Sequence, residues 1–250
     1  MGTVINLSVV MPVYNEAGVI ESLVEDLGRE LLPLVESLEV IVVDDASTDE
    51  TPAILERLAR DRPWLNVQRP ERNAGHGPAV IRGLRLARAE WVFQIDSDGQ
   101  FVVAEFARLW DRRESADLVL GVRTQRNDPL HRLLLSRTVR IATSLLAGRR
   151  IRDANTPFRL LRRAVWVDLE GLMAPETLAP NILVTLGAAV RGWRIVDVPV
   201  THLPRERGVS SLRALRLVRF SLRGLRQLVG YRYRLARAPA PVRLAAEEPT

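Results

Sequence analysis

This sequence predicts an α/β fold: a Rossmann-like, mostly parallel central sheet flanked by helices, ending in an amphipathic helix. Three observations carry the prediction. Short β-rich apolar runs alternate with helix-period segments through the first half of the chain. Three of those runs stop at a polar cluster, namely Pro12-Val13-Tyr14-Asn15-Glu16, Asp44-Asp45 and Asp96-Ser97-Asp98. Strand and helix alternating at this rhythm place successive strands parallel, with helices on both faces.

Taken in order, residues 4–11 and 38–43 are the first two strands. Between them, residues 17–32 set Ile20, Leu23, Val24, Leu27 and Leu31 at helical spacing. Residues 49–60 form a second helix, with Ser47 or Asp49 as N-cap and Pro52 in the first turn, where its missing N–H is tolerated. Val67 marks a short third strand, 77–89 a third helix, 91–95 a fourth strand, 102–113 a helix and 118–120 a fifth strand. Beyond Gly121 the rhythm loosens. Residues 130–147 read as an amphipathic helix carrying Arg132, Arg137 and Arg140 among leucines, 157–161 as a short strand and 182–191 as a helix. Residues 193–200 read as a strand that Pro199 places near a sheet edge. The predicted domain spans 1–211, followed by a basic helix over 212–237 and a disordered tail over 238–250.

At 250 residues and 47% apolar content the chain can bury one full core. Without Cys there are no disulfides or thiolate metal sites, which suits a cytoplasmic address. The opening residues read as a strand rather than a cleavable leader, and no apolar run approaches the roughly 18 residues that span a bilayer. The net charge of +6 is unevenly spread. Residues 1–204 hold 25 Arg against 27 acids, whereas residues 205–250 hold 11 Arg against three acids. There is no Lys, which excludes a catalytic or P-loop lysine. Within 212–229, Arg213, Arg216, Arg219, Arg223 and Arg226 share one arc of the helical wheel. Leu215, Leu217, Val218, Leu222, Leu225, Leu228 and Val229 share the other. Such a helix reads as a membrane-surface element, with an anionic leaflet as partner. No nucleic-acid recognition motif accompanies it.

Asp96 and Asp98 stand at i and i+2 on an extended backbone and therefore point to one side. Two like charges that close call for a cation between them. They follow an apolar strand, and the carboxyl ends of such strands are where open α/β sheets bind ligands. Pro12, Tyr14 and Glu16 follow the first strand, Asp45 the second and Gln100 the fourth. Asn73-Ala74-Gly75-His76-Gly77-Pro78 makes a turn before the third helix, with His76 read as a turn residue and Asp44 as a strand-end cap. Carboxylates from several strands, a planar ring and a Gly-rich turn suit a nucleotide with a divalent cation. Oxygen ligands alone favour Mg²⁺ or Mn²⁺ over Zn²⁺.

The ordered strings Val-Val-Met-Pro-Val-Tyr-Asn-Glu (9–16), Ile-Val-Val-Asp-Asp-Ala-Ser-Thr-Asp (41–49), Asn-Ala-Gly-His-Gly (73–77) and Asp-Ser-Asp-Gly-Gln (96–100) resemble a family 2 glycosyltransferase of the GT-A fold. Two later strings, at 151–159 and 202–210, are similar to its polyprenyl-phosphate branch, the dolichol-phosphate mannose synthase-like enzymes. The resemblance implies that Pro12, Tyr14, Glu16, Val43 and Asp45 hold the base and ribose of a nucleotide sugar. It implies that Asp96 and Asp98, helped by Gln100, hold the metal and with it the diphosphate, and that Ser97 between them lines the cofactor site. Arg123 would sit near the donor, and Arg205 and Arg207 would clamp phosphates from a loop that Gly208 lets bend. Asp98, Asp153 and Arg205 would then carry the chemistry, Asp153 being the only nearby base if the acceptor is a hydroxyl. Capping, or pairing with Arg152 or Arg159, is the alternative for Asp153.

Two departures fall on the acceptor side. Ser211 stands where family members commonly carry Lys, and Asn155-Thr156-Pro157 replaces a Gly-containing turn. The helix pairs that embed many relatives in membranes are absent from these residues. The expected activity is inverting transfer of a sugar from a UDP- or GDP-linked donor to a polyprenyl phosphate. It would take place at the inner face of the cell membrane. A glycan or small-molecule hydroxyl as acceptor, and a non-catalytic nucleotide-sugar scaffold, are the alternatives.

Overall fold

The computed structural model describes residues 6–124, 130–174, 176–204 and 214–240, the side chains of 130–136 and 214–222 excepted. The first half alternates as expected: β1 (Leu7–Val13), α1 (Ile20–Leu31), β2 (Leu38–Asp44), α2 (Thr51–Arg60), β3 (Leu65–Gln68), α3 (His76–Leu86) and β4 (Trp91–Gln94). There follow α4 (Phe106–Trp110), β5 (Leu118–Arg123), α5 (Leu130–Ala147), β6 (Arg159–Arg162), α6 (Arg163–Glu170), α7 (Pro180–Val190), β7 (Ile195–Val200) and α8 (Ala214–Arg237).

The seven strands form one sheet in the order β3-β2-β1-β4-β6-β5-β7. β1 pairs in parallel with β2 and β4, and β5 with β7. β6 alone runs antiparallel, wedged between β4 and β5. The order reverses at β1, so β1, β2 and β4 present their carboxyl ends side by side, the crevice such sheets offer to ligands.

Both faces of the sheet are covered, which is why β1 and β2 are buried along their whole length. Leu7, Val9, Met11 and Val13 join α1 and α2 in one core, while Val10, Ile41 and Val43 join α3, α6, α7 and α8 in the other. The α3 contact is close because residue 83 is glycine: a Cβ there would lie 2.4 Å from the Val10 side chain. Beneath the crevice four rings touch in series. Phe93 packs on Phe106 and Phe158 at 4.7 and 4.9 Å between centroids, and Phe101 stacks on Phe158 at 5.3 Å.

Two features differ from the sequence expectation. The helix expected over 102–113 is a one-turn 3-10 helix at Val103–Glu105, the short α4, and a second 3-10 turn at Arg113–Ser115. The helix α6 is an addition to the expected elements, with Val165, Trp166 and Leu169 as its buried stripe. The last helix ends at Arg237, where Tyr231 and Leu235 continue the buried face begun by Leu228. Pro199 does lie on an edge strand.

Candidate active site

The loops after β1 and β2 interlock. Asn15 adopts φ +56° and Ala46 φ +58°, a left-handed conformation uncommon outside glycine. The Asn15 N–H donates to Ser47 Oγ at 2.9 Å, the Thr48 N–H to Asn15 Oδ1 at 2.8 Å, and the Glu16 N–H to Thr51 Oγ1 at 2.9 Å. This lacing holds Tyr14 out from the surface with 47% of its area exposed, a ring face available for stacking. Pro12 and Val43 are register partners at the ends of β1 and β2. The Val43 side chain is fully buried towards Gly83, so only its backbone borders the crevice.

Asp45 is buried, and both its oxygens are occupied: they accept the Ala74 and Gly75 N–H groups at 2.9 and 2.7 Å. The Asn73 side chain donates to the Asp45 carbonyl at 3.0 Å. The residue therefore ties the Gly-rich turn before α3 to the end of β2. Asp44, as expected of a cap, accepts the Ser47 N–H at 2.9 Å and faces Arg69 at 3.3 Å.

Asp96, Ser97 and Asp98 leave the end of β4. Ser97 is buried, and Asp96 and Asp98 are part-exposed. Asp96 Oδ1 is enclosed yet lacks a hydrogen-bond donor, while His76 Nε2 stands 3.7 Å away. Burial pushes the Asp96 carboxyl above its ordinary range; the Asp98 charge adds to this, and His76, Arg123 and Arg159 oppose it. An enclosed oxygen without a donor calls for an explanation, and a cation supplies one. Among the described residues, no group of three or more His, Asp or Glu side chains gathers into a metal site. A cation here would thus need ligand oxygens beyond the two carboxylates. Gln100 commits its side-chain nitrogen to the Leu203 carbonyl at 2.9 Å, and its own carbonyl accepts the Leu203 N–H at 2.8 Å. Gln100 therefore fastens the acidic turn to the segment that leads into residues 205–213, and Arg205 and Arg207 lie outside the described residues.

On the far side of β4, Arg123 at the end of β5 grips Asp153 through Nε and Nη2, at 2.8 and 3.0 Å. Both side chains are largely buried. Arg152 instead reaches towards Asp197, at 3.7 Å. Arg159, which the sequence offers only as an alternative partner for Asp153, instead braces the turn before β6. It is fully buried and donates to the Ala154, Thr156 and Asn181 carbonyls and to Thr185 Oγ1. Burial lowers its guanidinium to about 9, with Asp153 and Asp96 holding it up, so it remains a cation at neutral pH. Its sequence signal is slight: a single Arg after Phe158 at the start of a strand.

Residues 8–167 match the family model described as glycosyl transferase family 2. The chain belongs to that family. The transferase is 33% identical over 224 residues to the polyprenol monophosphomannose synthase of Mycolicibacterium smegmatis, covering 82% of this chain and 80% of that one. It is 32% identical to the undecaprenyl-phosphate mannosyltransferase of Micrococcus luteus, over 81% and 86% of the two chains. It is 29% identical to the undecaprenyl-phosphate 4-deoxy-4-formamido-L-arabinose transferase of Pseudomonas aeruginosa, spanning 85% of this chain but 62% of that protein. Among solved structures, S. aureus TarS in complex with UDP-GlcNAc superposes with a TM-score of 0.60 at 26% identity, over 84% and 62% of the chains. The glucosyl-3-phosphoglycerate synthase of Mycobacterium tuberculosis, solved with Mn²⁺, UDP and phosphoglyceric acid, gives a TM-score of 0.67 at 22% identity, over 91% and 78%, a likeness of fold alone. The protein is a glycosyltransferase with a GT-A-like fold, and its relatives transfer sugars to polyprenyl phosphates. No helix among the described residues is long and apolar enough to cross a membrane.

Proposed function

We propose that this glycosyltransferase moves a sugar from a UDP- or GDP-linked donor to a polyprenyl phosphate, with inversion at the anomeric carbon, at an anionic membrane surface. One observation carries the donor half: Asp96 Oδ1, enclosed and without a donor, stands beside Asp98 at the end of β4. Asp96 and Asp98, with Gln100 in the same turn, would hold Mg²⁺ or Mn²⁺, which supplies relief of the charge that builds on a departing diphosphate. Tyr14 offers its exposed ring to the base, and the backbone at Pro12 and Val43 with the laced loop at Glu16 bounds the ribose. Asp45 acts by shaping the Asn73–Gly75 turn, and Ser97 by filling the floor beneath the acidic pair. Arg205 and Arg207, which lie outside the described residues, would supply guanidinium donors to the phosphates, as the family resemblance implies.

The acceptor half is favoured by Asp153. The only base that the motif supplies spends both oxygens on Arg123. A phosphate monoester, with a second pKa of about 6, is already ionised near pH 7 and needs no base. In the displacement its oxygen forms the bond to the anomeric carbon while the bond to the donor's β-phosphate oxygen breaks. Asp153 then orients Arg123 rather than taking a proton.

The test is a panel of nucleotide sugars with polyprenyl phosphate and Mg²⁺ or Mn²⁺, with product read by mass and its configuration by NMR. Transfer confined to a glycan hydroxyl, or a product of retained configuration, would sink the reading. Asp98→Asn should cost about 10²-fold or more in turnover while the circular dichroism spectrum stays that of the parent.

A further inference from the structure

The last helix is fastened to the body by side chains that reach main-chain atoms. Arg232 Nε donates to the Leu146 carbonyl at the end of α5, 3.1 Å, and Arg234 Nε to the Leu172 carbonyl, 2.8 Å. Tyr231 packs against α7 at Gly187, where a Cβ would lie 2.5 Å from its hydroxyl. A further fastening leads elsewhere. The Gln227 side-chain oxygen accepts the Leu178 N–H at 3.0 Å, and its nitrogen donates to the Glu176 carbonyl at 3.2 Å. One amide thereby braces the turn on both sides of Thr177, which is itself buried.

That turn is pressed onto the start of α3. A Cβ on Gly77 would come within 2.0 Å of the Thr177 carbonyl and 3.0 Å of the Leu178 carbonyl, so only glycine admits the approach. The residue before Gly77 is His76, whose Nε2 faces Asp96 Oδ1 at 3.7 Å. Gln227, the 176–178 turn, the first turn of α3 and Asp96 are thus neighbours in an unbroken chain of close contacts.

We infer that Gln227 is a positioning residue for the Asp96–Asp98 centre, so that the seating of the basic helix α8 on the body sets the geometry with which nucleotide is bound. The inference rests on the reading of that centre as the nucleotide site given above. Its physical content is simple. A turn held by two hydrogen bonds from a rigid helix keeps α3 at one depth, and α3 carries the imidazole that faces Asp96. Release of the brace lets the first turn of α3 relax away from the acidic pair.

The experiment uses the full chain and compares Gln227→Leu, which removes both bonds at similar volume, with Gln227→Glu, which keeps only the acceptor. Calorimetry reads the affinity for UDP and for GDP with Mn²⁺; steady-state kinetics separates donor KM from kcat. Gln227→Leu should weaken Mn²⁺-dependent nucleotide binding by about 3–10-fold, with a smaller loss in Gln227→Glu. The melting temperature should move by no more than about 3 °C. In a His76→Ala background the Gln227→Leu loss should vanish, since contacts in series do not add. Wild-type binding together with an unchanged affinity in Gln227→Leu overturns this link alone, as does simple additivity with His76→Ala. A wild-type protein that binds neither nucleotide with Mn²⁺ overturns both the link and the site reading beneath it.

Discussion

Asp153 and Arg123 meet as a two-point pair, Oδ2 to Nε at 2.8 Å and Oδ1 to Nη2 at 3.0 Å, across thirty residues of sequence. The contact joins the end of β5 to the turn that precedes β6, and it is largely shielded from water. Removal of one partner strands the other charge, at about 3–5 kcal/mol for a fully buried pair. Arg123 keeps 16% of its side-chain surface, so the lower end applies. Asp153→Ala and Arg123→Ala should therefore each destabilise by about 3 kcal/mol in urea titrations, and the double variant by less than their sum. Full additivity would show that the pair contributes nothing as a pair.

Ala46 should be the easiest residue to improve. Its φ of +58° carries a Cβ where an L-residue loses about 1–2 kcal/mol. Glycine removes that cost but returns about 0.4–1 kcal/mol through a more flexible unfolded chain. The expected net gain for Ala46→Gly is about 0.5–1 kcal/mol, read as a higher urea midpoint at unchanged slope. Asn15, left-handed as well, makes side-chain bonds to Thr48, and Asn15→Gly should lose rather than gain stability.

The strand ends that build the crevice are legible in the sequence itself, because each apolar run stops at a polar cluster. β1 ends before Tyr14, β2 at Asp44, and β4 before Asp96. What stays hidden there is non-local. Nothing in residues 157–161 says that β6 enters antiparallel between β4 and β5, since that depends on pairing with strands about 40 and 70 positions away. Asp153 has Arg152 beside it and Arg159 six positions on, but the partner is Arg123, brought in by the sheet. Asp45 reads as a ligand-facing acid, and in the fold its oxygens cap a turn 29 and 30 residues ahead. Periodicity fails only locally. At α6, eight residues are too few for a helical repeat to stand out against its arginines and acids.

Asp117 supplies a pH-dependent brace at the opposite end of the sheet. Its carboxylate accepts bonds from the Arg194 main-chain N–H at 2.9 Å and from Arg194 Nε and Nη2 at 3.1 and 2.9 Å. Burial works to raise its carboxyl, but these bonds and the charges of Arg194 and Arg162 outweigh it, so the folded-state value lies below the ordinary 3.8. A depressed value means stability that is whole above the unfolded pKa and lost as pH falls through the folded one. Asp117→Asn should cost about 1 kcal/mol from pH 7 to 5, the half-exposed Arg194 limiting the figure, and the gap to wild type should narrow progressively as the pH falls below 3.8. A gap that does not narrow at all as the pH falls below 3.8 would assign the effect to packing.

The basic helix makes the last prediction. In α8 the buried face is Leu228, Tyr231 and Leu235, yet Leu225, Val229 and Tyr233 form a second apolar stripe that is about half exposed. Arg223, Arg226, Arg234 and Arg237 flank it along one side, Arg237 lying over the Tyr233 ring at 3.8 Å. On the neighbouring α5, Ile141 and Leu145 are exposed beside Arg140. Residues 130–152 and 214–240 contain no acid. Exposed apolar side chains flanked by cations, with no acid between, suit an anionic bilayer, where each Arg adds about 1 kcal/mol at low salt. The protein should co-sediment with phosphatidylglycerol vesicles, and the bound fraction should fall as salt rises. Leu225→Glu with Val229→Glu should weaken that partition at least about tenfold at unchanged melting temperature, because both residues face away from the core. Equal binding to neutral and anionic vesicles, or an unaffected double variant, would show that this face meets something other than an anionic bilayer.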